Sequence, residues 1–211
     1  MQPGETFSFN EATGFRSIEK GYLKAGAIVQ GTTADETGGG VCQTSSTLFN
    51  AVALAGMEIV SVWPHAWPST YVDPGRDATV DWQSWQSLSE STDFKFKNSS
   101  PYPIYIVAYV TGSNYNRACK CTVEIYGVSL NDGIEITIAT NLVSSSPTPE
   151  EIEYELDPSL PYGTEEVVRK ARPGYKYETW RIYYQNGYEV KREKLRTANY
   201  RTYTQKIKYN Y

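Results

Sequence analysis

The chain has 211 residues, 40% apolar and 21% charged, the balance of an ordinary globular protein rather than a disordered one, and enough to bury one good core or two small ones. No segment reaches the ~18 apolar residues of a membrane span, and no secretory leader is visible. The formal charge of −4 is uneven: residues 167–211 carry 12 basic and 3 acidic side chains, a net +9, leaving −13 on residues 1–166.

Residues 3–30 mix Gly, Asn and charges with short apolar stretches, predicting a loop-rich start with one short helix. A polar run, Gly31 to Thr37, ends in Gly38-Gly39-Gly40. Leu48 to Ala55 is apolar and stops at Gly56, a plausible C-terminal cap. The pattern predicts a helix over 42–55 with Cys42 in its first turn. Met57 to Trp63 reads as a strand. The single histidine, His65, follows in Trp63-Pro64-His65-Ala66-Trp67-Pro68, where the prolines stiffen the loop. Segments 78–82, 94–97, 104–110, 122–128 and 134–139 are rich in β-branched and aromatic residues and are predicted as strands. From Asn141 to Pro161 the composition turns to Ser, Pro and Glu, that of a linker. Beyond it, Tyr175 to Tyr184 runs into Asn186-Gly187, a strong hairpin signal, and Glu189 to Thr197 supplies the return strand. The fold class is α+β: a mainly antiparallel sheet with a helix starting at the cysteine, followed by a small all-β module.

Cys42 at a helix start meets partial positive charge and free N–H groups, which favour a thiolate. A thiolate with one imidazole is the minimum set for acyl transfer. Gly39, Gly40, Gln43 and the N–H groups of Val41 to Gln43 are oxyanion-site candidates. A phosphate cradle is excluded because no Gly-Lys-Ser/Thr follows the glycines. A third group should orient the imidazole. Asp77 is the first choice, with Asp73 and Asp81 as alternatives. Arg76 can pair with a substrate carboxylate or form a surface ion pair. Tyr71, with Trp63 and Trp67, can wall a peptide groove or belong to the core. Ser45 and Ser46 are expected to pack rather than to line the cleft. Cys119 and Cys121 read as strand packing, because a metal site would need further soft ligands that the sequence does not offer. The basic tail suits an anionic partner or simply solvated strand faces, and nucleic-acid recognition motifs are missing.

Pro3-Gly4-Glu5-Thr6-Phe7-Ser8-Phe9-Asn10, Gly38-Gly39-Gly40-Val41-Cys42-Gln43, Leu48-Phe49-Asn50-Ala51, His65, Tyr71-Val72, Pro74 to Val80 and Asp93-Phe94-Lys95-Phe96 together resemble the VanW domain, over about residues 3–110. Phe15 and Gly26-Ala27 depart from the usual pattern, which bears on loop shape more than on chemistry. Residues 163–211 resemble the small all-β G-five (G5) wall-adhesin module. The division expected is 1–140 as a VanW-like catalytic domain, 141–162 as a linker and 163–211 as a separate module, dispensable for chemistry.

The resemblance implies an extracytoplasmic protein of a Gram-positive wall, cut from a longer, membrane-tethered parent. It implies a cysteine L,D-transpeptidase acting on peptidoglycan stem peptides, with Cys42 as nucleophile and His65 as base. The basic tail would then meet anionic wall polymers such as teichoic acids. No metal or organic cofactor is needed. Two alternatives stay open: a wall cysteine peptidase with water as acceptor, and a non-catalytic wall-binding or glycopeptide-resistance accessory module.

Overall fold

The computed structural model describes residues 1–29, 32–112, 119–129 and 133–211. The first part of the chain carries β1 (Thr6–Ser8), α1 (Phe9–Thr13), a 3-10 turn at Ile18–Lys20, β2 (Lys24–Val29), β3 (Thr32–Thr37) and α2 (Val41–Leu54). Then come β4 (Glu58–Ser61), a second 3-10 turn at Leu88–Glu90, β5 (Lys95–Lys97), β6 (Tyr105–Thr111) and β7 (Lys120–Tyr126). The second part is all strand: β8 (Ile134–Ser146), β9 (Ile152–Leu156), β10 (Thr164–Arg169), β11 (Gly174–Gln185), β12 (Tyr188–Tyr200) and β13 (Gln205–Asn210). Pairing is antiparallel except between β13 and β9.

α2 forms because Ser45, Leu48, Phe49 and Val52 recur on one helical face, and all four are buried. That face packs with Phe9, Met57, Phe94 and Phe96 into the main core. Ile138 of β8 and Leu195 of β12 pack onto the same cluster, so the second part of the chain helps close the core of the first. Arg181 of β11 reinforces the contact: its Nη1 donates to the Ala53 carbonyl in the last turn of α2, at 3.1 Å, and to the Met57 carbonyl just past it, at 2.7 Å. A cation there meets the negative end of the helix dipole.

The motif around Asn10 is scaffold. Ser8 caps α1 by accepting from the Glu11 N–H, and it donates to Asp93 at 2.6 Å. The buried Asn10 side chain donates to Ser91 and Thr92, which ties α1 to the approach of β5.

Several expectations change. Residues 78–82 form only bridges, Trp63 with Thr79 and Asp81 with Thr92, because the Ala78 backbone is claimed by Ser45 and Ser46 of α2. Of the polar run before the glycines, Thr32–Thr37 is β3, paired antiparallel with β2, and Gly31 lies outside the described residues. Half of the expected linker 141–162 is strand. Asn141 to Ser146 extends β8 along β11, and the acidic stretch Ile152–Leu156 is β9. β9 lies beside the basic β13, where Glu155 pairs with Lys206, and Asp157 just past the strand pairs with Lys208 at 2.8 Å. The Asn186-Gly187 turn has φ of 53° and 80°, the left-handed pair that a two-residue hairpin requires. Cys121 lies in β7, half-buried, whereas Cys119 precedes the strand and is exposed, so strand packing applies to Cys121 alone.

Candidate active site

α2, the His65 loop and the Pro74–Ala78 segment meet at one place. Gly40 is the N-cap of α2, and Cys42 is the second residue of the helix. Gly39 is required by packing: a Cβ there would collide with the Ala25 backbone of β2. Cys42 Sγ lies 3.4 Å from the Val80 carbonyl and 3.6 Å from Thr79 Oγ1. His65 is near enough to act on the ionisation of the thiol.

His65 is buried, and Asp77 holds it twice. Asp77 Oδ2 accepts from the His65 backbone N–H at 2.6 Å and lies 2.7 Å from Nδ1. With Nδ1 so engaged, Nε2 is the nitrogen left for the thiol, and the Tyr71 hydroxyl lies 3.3 Å from it. The other carboxylate oxygen is held from the far end of the chain. Asp77 Oδ1 accepts from Arg196 Nη2 at 2.8 Å and from the Tyr200 hydroxyl at 2.6 Å, both on β12. The same two residues bind the Gly75 backbone. Arg196 donates to its carbonyl at 2.9 Å, and its N–H donates to the Tyr200 oxygen at 2.6 Å. Thr179 of β11 also donates to the Gly75 carbonyl, at 2.6 Å. Gly75 sits at φ +88°, with Thr179 too close for a side chain. α2 grips the segment from the other side, through Ser46 to the Ala78 N–H and Asn50 to the Arg76 carbonyl, both at 2.8 Å.

The electrostatics follow. Burial opposes ionisation of Asp77, yet the His65 hydrogen bond and the Arg196 charge hold its carboxyl at about 2. Burial would lower the imidazole, but hydrogen bonds to Asp77 and Cys42 raise it to about 9. Burial also works against a Cys42 thiolate, and the His65 contact outweighs it, taking the thiol below the ordinary cysteine range. Both shifts favour a thiolate–imidazolium pair at neutral pH. Burial pushes the Tyr71 phenol up to about 12, so it stays neutral.

Of the three candidate aspartates, only Asp77 touches His65. Asp73 is exposed and pairs with Arg76 at 3.6 Å, and Asp81 accepts from Gln83. Arg76 also donates to Asn50 at 2.6 Å. With Thr70, Tyr71, Val72 and Asp73 it lines an open groove of about 390 Å³, and of these residues Tyr71 also contacts His65. The Val41 and Gln43 N–H groups are bonded to the Gly38 and Gly40 carbonyls, which narrows the expected oxyanion donors toward the Cys42 N–H. Trp67 is core, stacked edge-on to Tyr203, while Trp63 is half exposed. Ser45 and Ser46 are buried, and Ser46 holds Ala78 as well as packing. Arg196 and Tyr200 escaped sequence reasoning, as did the backbone-holding roles of Ser46 and Asn50, because what marks each is a partner distant in the chain. Among the described residues, no group of three or more His, Cys, Asp or Glu is placed to hold a metal, and no helix is long and apolar enough to cross a membrane.

Comparison with known proteins places the chain. Residues 1–126 match the family described as VanW like protein, and residues 140–209 match the G5 domain. Over 106 residues the chain is 49% identical to the uncharacterized protein YoaR of Bacillus subtilis (strain 168); the match takes in 50% of this chain and 33% of that relative. The G5 domain structure of IgA1 protease is similar to 38% of this chain and 95% of its own, at 22% identity and a TM-score of 0.23. The HP0197 G5 structure is similar to 36% of this chain and 97% of its own, at 19% identity and a TM-score of 0.18. A VanW-like domain joined to a G5 domain, a wall- and host-adhesion module, fits an extracellular, cell-wall-associated protein. The VanW match takes in more than half of the chain, which therefore belongs to the VanW-like protein family, its VanW-like domain followed by a G5 domain.

Proposed function

We propose that the protein is a peptidoglycan L,D-transpeptidase of a Gram-positive wall that works through a Cys42 thioester. The observation that carries the reading is the buried His65–Asp77 pair beside Cys42, whose influence draws the thiol below the ordinary cysteine range. A non-catalytic wall module has no need of a low-pKa thiol set against a carboxylate-backed imidazole. The Cys42 thiolate attacks the carbonyl that joins the L-centre of the third stem residue to D-alanine. The Cys42 N–H at the start of α2 faces the developing oxyanion. His65 imidazolium gives its proton to the departing D-alanine amine. It then takes one from the side-chain amine of a neighbouring stem as that amine attacks the thioester, and the thiolate is regenerated. The groove beside Tyr71 suits the donor stem, and Arg76 suits one of its carboxylates once the weak surface pair with Asp73 yields.

The test is incubation of the full chain with purified muropeptides, read by mass spectrometry. The expected outcome is cross-linked dimers with loss of D-alanine from the donor, and none from Cys42→Ala. Dimers formed by Cys42→Ala refute Cys42 as nucleophile. Loss of D-alanine without dimers replaces the amine acceptor with water, the reaction of a peptidase.

A further inference from the structure

We infer that the G5 domain is part of the reaction machinery: Arg196 and Tyr200 are positioning residues that act on Cys42 through Asp77 and His65. The chemistry rests on the acyl-transfer reading above, whereas the contact geometry does not depend on it.

Asp77 has two carboxylate oxygens, and they serve two domains. Oδ2 takes both His65 bonds, and Oδ1 takes Arg196 and Tyr200. All four side chains are buried, Asp77 at 1% exposure and Tyr200 at 3%. A carboxylate anchored on one oxygen alone can turn about its Cβ–Cγ bond, and the imidazole it orients turns with it. Anchoring both oxygens fixes the plane. Arg196 and Tyr200 also bind the Gly75 backbone, two residues before Asp77, so β12 sets the main chain and the side chain together.

Domain docking does not by itself call for this ion pair. Ile138 and Leu195 in the shared core, Arg181 on the end of α2 and Thr179 on Gly75 already join the two parts. Burying Arg196 against Asp77 removes two charges from water, which well-packed apolar residues would do without that cost. Arg196 Nη1 is buried with no hydrogen-bond partner, so this charge depends on Asp77 and the Gly75 carbonyl. The cost is understandable at a residue that holds a catalytic imidazole. In the Cys42 thiolate, His65 imidazolium and Asp77 carboxylate the charges sum to one negative, and Arg196 brings the cluster to neutrality. Loss of Arg196 therefore disfavours the thiolate.

The test uses the full chain and follows alkylation of the Cys42-bearing peptide by iodoacetamide across pH, by mass spectrometry, which separates it from Cys119 and Cys121. Arg196→Met should raise the apparent pKa of Cys42 by about one unit, leaving ~10-fold less thiolate below that pKa. Tyr200→Phe should shift it in the same direction by less, and Arg196→Lys should restore most of the profile. Cross-linking should fall in the same order. Circular dichroism establishes that each variant is folded. If Arg196→Met does not fold, Tyr200→Phe, which removes one oxygen, carries the test. Folded variants with the wild-type alkylation profile and wild-type cross-linking overturn the positioning role and leave the reaction standing. A wild-type chain that makes no cross-links, yet whose thiol shifts as described, refutes the acyl transfer and leaves the positioning role standing.

Discussion

Asp77→Asn should disrupt both halves of the site at once. The carboxylate accepts four hydrogen bonds, two on each oxygen, and an amide of the same shape has a single accepting oxygen. If that oxygen faces Arg196 and Tyr200, the amide N–H groups confront the His65 backbone N–H and Nδ1. If it faces His65, they confront the guanidinium. Either way Arg196 keeps a buried charge without a counter-charge. Removing one partner of a buried pair costs about 3–5 kcal/mol, a large part of an ordinary domain's stability. His65 loses the first cause of its raised pKa and falls from about 9 toward the ordinary 6.5. Cys42 then loses its cationic neighbour at neutral pH. Loss of the orienting carboxylate in a nucleophile–imidazole pair costs on the order of 10⁴ in rate in the serine-protease example, which sets the scale here. Thermal unfolding followed by circular dichroism should show a drop of about 10 °C or more for a chain of this size. Iodoacetamide should alkylate Cys42 at neutral pH at the rate of an ordinary thiol. A variant that melts within a degree or two of wild type, with an unchanged alkylation profile, refutes the view that Asp77 bridges His65 and Arg196.

Cys42→Ala removes a half-buried thiol and should cost only about 1 kcal/mol while abolishing thioester formation, so a folded, inactive protein is expected in melts and muropeptide assays. Cross-linking should decline as pH rises through about 9, where His65 loses the proton it must donate to the leaving amine; activity still climbing beyond that range contradicts the assignment. Gly39→Ala forces a Cβ into the Ala25 backbone and should lower stability by about 2–4 kcal/mol, measured by denaturant unfolding; a neutral effect contradicts the close approach of the glycine turn to β2. Binding of the full chain to purified sacculi should weaken as salt rises, since exposed charges are screened beyond ~8–10 Å at physiological ionic strength; salt-indifferent binding rules out an electrostatic contribution from the tail.

The local signals in the sequence were the legible ones. The period of α2, the stop at Gly56 and the Asn186-Gly187 turn each depend on neighbours within a few residues. Cys42, His65 and Asp77 stood out by residue type and by the glycine and proline flanks, and the fold brings the three together. Residues 78–82 carry a strand-like composition, but their backbone is captured by serines on a helix some thirty residues earlier. The stretch 141–146 has linker composition, yet β11 offers a partner along its full length. Arg196 and Tyr200 sit in an ordinary strand rich in Tyr, Lys and Arg, separated from Asp77 by 119 and 123 residues. Nothing beside them in sequence distinguishes them from Arg192 or Tyr188.

The charge asymmetry shows why composition and function divide the chain differently. An acidic run followed by a basic tail suggested a linker and a surface for anionic polymers. In the fold the two are neighbouring strands: Glu153 pairs with Arg169, Glu155 with Lys206, and Asp157 with Lys208. Arg181, Lys191 and Lys194 pair with Glu193 and Glu178 within the β11–β12 hairpin. The first three of these pairs draw on acidic residues outside 167–211 and take the tail's +9 to +6, so a wall polymer meets less charge than the sequence total implies. The basic residue with the most specific partner in the tail faces inward, as Arg196 on Asp77. The family matches change over between residues 126 and 140, but the hydrogen bonds that hold the His65 imidazole through Asp77 begin on β12. The unit that could carry out acyl transfer therefore spans both domains.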